Sequence, residues 1–68
     1  MEEYSNSRMA ETIDEYIHDK RNRELMKARL IDNVTIEKLS EIFELSVSQV
    51  KRIIWKNSEV VFRHLKKG

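Results

Sequence analysis

The chain contains no proline, and its only glycine is Gly68. Proline breaks helices by lacking an amide donor and clashing with the preceding turn, and glycine turns the chain through its backbone freedom. With neither available before the last position, every change of direction must come from side-chain caps and from residues that tolerate unusual dihedrals. The intervening segments are filled largely by strong helix formers, so the expected fold class is all-α: a four-helix domain with a helix-turn-helix and a long C-terminal helix. At 68 residues the chain makes a single domain, 1–68. A domain of this size buries about 60% of the surface its unfolded chain exposes, so its core is small.

Apolar periodicity places the elements. Met9, Ile13, Tyr16 and Ile17 share one face of a first helix from about Arg8 to His18, with Ser5 to Ser7 as candidate caps and residues 1–7 expected to be largely without structure. Leu25, Ala28 and Ile31 mark a second helix, and the polar run "DKRN", Asp19 to Asn22, predicts the break before it. Asp32 and Asn33 predict its end, since Asn accepts the left-handed conformation. Thr35 is then an N-cap, with Glu37 at the positive end of a third helix of about eight residues whose inner face is Ile36, Leu39, Ser40 and Phe43. Val50, Ile53, Ile54, Val61 and Leu65 continue along one side of a fourth helix with no breaker before Gly68. That helix is expected to run about 20 residues.

The start of the fourth helix is written in local chemistry. In "FELSVSQV", Phe43 to Val50, Ser46 is a preferred N-cap and Gln49 lies three positions later, so the two side chains can satisfy each other's backbone amides as a capping box. Leu45 and Val50 flank that box as a hydrophobic staple. A helix therefore begins at about Val47, after a turn at Glu44 and Leu45 specified without glycine. The short helix, tight turn and longer amphipathic helix over 35–55 form a helix-turn-helix unit, with Ser40 small enough to let the second helix approach.

Charge is distributed unevenly. From Ser46 onward six basic residues, Lys51, Arg52, Lys56, Arg63, Lys66 and Lys67, face the single acid Glu59, so this segment carries +5 while the whole chain carries +1. A basic final helix on a mildly acidic body suits a module that presents one face to phosphates. The absence of cysteine excludes a disulfide framework and a thiolate metal site and suits a reducing, cytoplasmic setting. The apolar runs fall far short of the roughly 20 residues a membrane helix needs, and the acidic, polar start is unlike a secretory signal. His18 and His64 lack partners in any metal-binding spacing, and no phosphate loop, nucleophile elbow or Cys/His pair is present, so neither a cofactor nor catalysis is expected. The adjacent acids Glu2/Glu3 and Asp14/Glu15 read as solvated surface.

The stretch "RELMKARLIDNVTIEKLSEIFELSVSQVKRI", Arg23 to Ile53, resembles the fourth region of bacterial RNA polymerase sigma factors. In that family an "R-x-L" helix precedes a short turn, "T-x-E-x-(I/L)-(A/G)" and "L-S-x-x-x-V-x-x-I". Here these fall at Arg23 to Leu25, at Thr35 to Ser40 and at Leu45 to Ile53. Glu44 and Asn33 stand where the family often has glycine, and 68 residues leave no room for the region that melts promoters and binds the core enzyme. The resemblance implies a stand-alone, small bacterial or phage transcription regulator that binds double-stranded DNA through the major groove. It also implies the flap of RNA polymerase as a second partner. Output domains of response regulators share the four-helix plan and match less well around Lys56 to Val61.

On this reading Val47, Ser48, Lys51 and Arg52 face the base edges, and Arg52 can make the bidentate contact to guanine that its planar fork favours. Thr35, Lys38 and Lys56 hold the phosphate backbone. Trp55, beside Ile54, is expected to be partial core rather than a groove contact. The alternative function is a helical protein-interaction module that acts on the transcription machinery without tight DNA binding. It is suggested by Val60, Val61, Phe62 and Leu65, which cannot all face one side of a helix. That apolar surplus is expected to complete the monomer's core against the first helix, which favours a monomer over a dimer.

Overall fold

The computed structural model describes residues 5–67, with side chains described as far as Leu65. Its elements are α1 (Asn6–Tyr16), α2 (Lys20–Leu30), α3 (Ile36–Phe43) and α4 (Val47–Lys67). The all-helical expectation holds, including the helix-turn-helix of α3 and α4 and the long final helix. At 1.5 Å per residue, the 21 residues of α4 span about 31 Å, close to the molecule's longest dimension of 33 Å. The other three helices all pack against it.

Each helix starts on a side-chain cap, as a chain without glycine or proline requires. Ser5 caps α1 by accepting from the Arg8 amide, and Asn6 and Ser7 already belong to that helix, so order reaches further forward than expected for 1–7. Residues 1–4, including Glu2 and Glu3, lie outside the described residues. The break between α1 and α2 is Ile17 to Asp19 rather than Asp19 to Asn22. Asp19 accepts from the Asn22 amide at 3.0 Å and starts α2 at once, so Lys20 to Asn22 form its first turn. The short connection is held by Arg23, whose guanidinium donates to the carbonyls of Ile17 and His18 at 3.1 and 2.9 Å. Asp14 is also more than solvated surface, since it accepts Lys27 in an ion pair of 2.8 Å.

The second connection bends at Asn33, which takes φ 58 as expected of a left-handed stop. Arg29 fastens it by donating to the Val34 carbonyl at 3.0 Å. Thr35 then caps α3, accepting from the Lys38 amide at 3.2 Å.

Every helix contributes to one core. Met9, Ile13 and Ile17 from the α1 side, Leu25 and Met26 of α2, Leu39 of α3, and Val50, Val61 and Leu65 of α4 are buried together. Ile13, Leu25, Met26, Leu39, Val50 and Val61 are the most completely enclosed. At about 25 cal/mol per Å² of apolar surface, removal of such side chains from water is the main stabilising term for a domain of this size. The apolar surplus near the end of α4 is absorbed largely here: Val61 and Leu65 are buried and Val60 is half-buried, leaving Phe62 at 36% exposure. Tyr16 stays partly exposed and stacks on His64 with ring centroids 3.6 Å apart, joining α1 to α4.

Candidate nucleic-acid interface

The turn that aims α4 is built from backbone geometry and two reciprocal hydrogen bonds. Glu44 adopts φ 56, ψ 48, the left-handed conformation, and closes α3 with its amide donating to the Ser40 carbonyl. The Leu45 amide donates to the same carbonyl at 2.9 Å. This is a left-handed C-cap made by a residue with a Cβ, which is less favourable there than glycine by about 1 kcal/mol. Two residues later the capping box is fully formed. The Ser46 amide donates to Gln49 Oε1 at 3.0 Å, and the Gln49 amide donates to Ser46 Oγ at 3.1 Å. Leu45 packs on the core beside the buried Val50, as a staple across that box requires. The Ser40 hydroxyl donates to the Glu37 carbonyl at 2.7 Å, which turns the one polar side chain on the inner face of α3 back onto its own helix.

Once α4 is fixed this way, its inner face is set by Val50, Ile53, Ile54, Val61 and Leu65, and the opposite side must face outward. Lys51, Arg52 and Lys56 all lie on that side and are exposed. Together with Trp55 they line one shallow, open cleft. Among the described residues none of the three cations has an acid partner within 4 Å, the ion pairs being those of Asp14 with Arg23 and Lys27. Glu59 lies further along the same helix and is exposed without pairing to Lys56. Val47, 39% exposed, and Ser48, also exposed, occupy the first turn of α4 ahead of the cations.

Five of the seven residues expected at a DNA surface therefore lie on α4, and three of them, Lys51, Arg52 and Lys56, line the cleft. Thr35 and Lys38 sit at the start of α3 and do not line the cleft. Both are exposed, and Thr35 Oγ1, which accepts from the Lys38 amide in capping the helix, keeps its O–H as a donor. The expectation for Trp55 is corrected: it is 79% exposed, the most exposed large apolar side chain among those described. The signal lay in the helical register. At 100° per residue Trp55 is about 140° round the helix from Val50, whereas Ile54 is only about 40° away. Adjacency to Ile54 was the wrong guide.

Among the described residues no three His, Asp or Glu side chains come together as a metal site. No helix among them is long and apolar enough to cross a membrane. Comparison with known protein families, curated proteins and solved structures found no match.

Proposed function

We propose that the protein binds double-stranded DNA in a sequence-specific manner, as a small transcription regulator in the manner of sigma factor region 4. The observation that carries this reading is the exposed, uncompensated set Lys51, Arg52 and Lys56 within the first three turns of a rigidly capped helix. Phosphate neutralisation by such groups supplies the non-specific part of affinity. The second helix of a helix-turn-helix places its first turns against base edges, where Arg52 can discriminate guanine. Val47 and Ser48 offer a methyl contact and a hydroxyl at the same level. Lys38 and Thr35, at the positive end of α3, hold the strand. No catalytic step belongs to this function. RNA polymerase, through its flap, is a further partner in this proposal.

The reading as a protein-interaction module keeps less support. The apolar residues near the end of α4 that suggested it lie mostly in the core, and Ile42, 54% exposed, is a single side chain of the kind normal on any surface.

Fluorescence anisotropy of a labelled random duplex, titrated at several salt concentrations, tests the proposal. The two phosphate-facing cations, Lys38 and Lys56, predict a slope of about −2 in log affinity against log salt. Absence of salt-dependent binding would reject it.

A further inference from the structure

Trp55 is the chain's only tryptophan, and it stands in water between two half-buried isoleucines and a lysine. A large aromatic ring gains much by burial, and this one forgoes that gain. Nor is it alone. Lys51 lies one turn before it, Arg52 three residues before and Lys56 immediately after, and the four side chains line one cleft. A ligand complementary to this surface is flat and aromatic where it meets the indole and anionic on either side.

An acidic peptide would satisfy the cations but offer nothing to the ring face, and an apolar peptide would leave three charges facing it. An intact duplex supplies phosphates, but its bases are stacked on one another and show the groove only their edges. An unpaired nucleotide supplies both parts at once, a free base face and a phosphate on each flank.

We propose that Trp55, with Lys56 beside it, is a stacking site for an unpaired nucleotide at the edge of a duplex whose bases Lys51 and Arg52 face. The inference rests on the DNA-binding reading for its duplex half. Trp55 lies about 12 Å along the helix axis from Val47, beyond the N-terminal residues with which a recognition helix contacts base edges. A helix seated by its first turns therefore carries the indole to the margin of the groove, where a strand that has left the duplex is within reach. The unpaired nucleotide can be DNA or RNA, because the base face and the phosphates are common to both.

A single tryptophan makes the test direct. The full chain is titrated with a blunt duplex, with the same duplex carrying a short single-stranded DNA or RNA overhang, with tripolyphosphate and with polyglutamate, while indole emission and anisotropy are read together. Overhang ligands should quench the emission more than the blunt duplex does. Trp55→Ala should weaken overhang binding about 5- to 150-fold, the loss of one stacked base, and blunt-duplex binding much less. Trp55→Phe should keep most of the affinity. The side chain is exposed, so both variants should retain the wild-type circular dichroism. Quenching by only one kind of overhang would support the site and assign its sugar. Intact duplex binding with unaltered indole emission on the overhangs would overturn the stacking site and leave DNA binding standing. Equal quenching by tripolyphosphate, or stronger quenching by polyglutamate, would also overturn it, in favour of charge alone or of an acidic protein partner. No binding to any nucleic acid would remove both readings together.

Discussion

From Val47 to Lys56, α4 buries Val50 in the core and turns Lys51, Arg52, Trp55 and Lys56 outward onto an open cleft. From Asn57 to Leu65 the same helix is gripped by α1. There Val61 and Leu65 are buried, His64 stacks on Tyr16, and the Arg8 guanidinium donates to the Leu65 carbonyl at 3.1 Å. Both halves follow one helical register, so the difference comes from what the remaining helices cover. The second half anchors the helix, and that frees the first to present charge without contributing to the core on its outer side.

This division can be broken at the anchor. Ile13 of α1 is fully buried in the shared core, and Ile13→Ala should cost about 2–5 kcal/mol. A domain of this size has little more than that in total. Thermal unfolding followed by circular dichroism should lose most of its cooperative transition. A cost below about 1 kcal/mol, at the low end of core substitutions, would mean that α1 does not anchor α4.

The turn that aims the first half allows a change in the opposite direction. Glu44→Gly should relieve about 1 kcal/mol of left-handed strain, raising the thermal midpoint by about 4–8 °C. A fall in the midpoint would show that the Glu44 side chain contributes something the backbone geometry does not. A smaller change is expected at Lys56. Lys56→Ala should weaken random and selected duplexes alike and flatten the salt dependence by about one counterion. An effect confined to one sequence would make Lys56 a base contact.

The elements easiest to read from the sequence were those whose ends are decided within four residues. Ser46 with Gln49, and Thr35 with the Lys38 amide, form caps from neighbouring side chains, and α3 and α4 begin at the expected residues. The α1–α2 break was displaced because polarity was weighed above capping: Asp19 opens α2, and the polar residues after it are helical. What lay furthest from local reading was exposure. Trp55 follows two isoleucines in sequence, yet which side of α4 is covered depends on helices distant along the chain. The same holds for Asp14, whose partners Arg23 and Lys27 come from the next helix. Of the seven expected site residues, Lys51, Arg52 and Lys56 line one cleft on α4 and Thr35 and Lys38 lie apart on α3; the register alone could not tell which charges would find partners.

The central claim is that the outward charges of the first half of α4 read DNA, and two exposed arginines on that helix test it most directly. Arg52 and Arg63 lie 11 positions apart, close to three full turns, so they project from nearly the same side of α4. Anisotropy titrations on a selected and a random duplex, with helicity checked, should show Arg52→Ala weakening the selected site by about 1–3 kcal/mol and the random duplex much less. Arg63→Ala should cost under about 0.5 kcal/mol and equally on both, as expected of a surface substitution away from the interface. If the two variants were indistinguishable, α4 would not be a recognition helix.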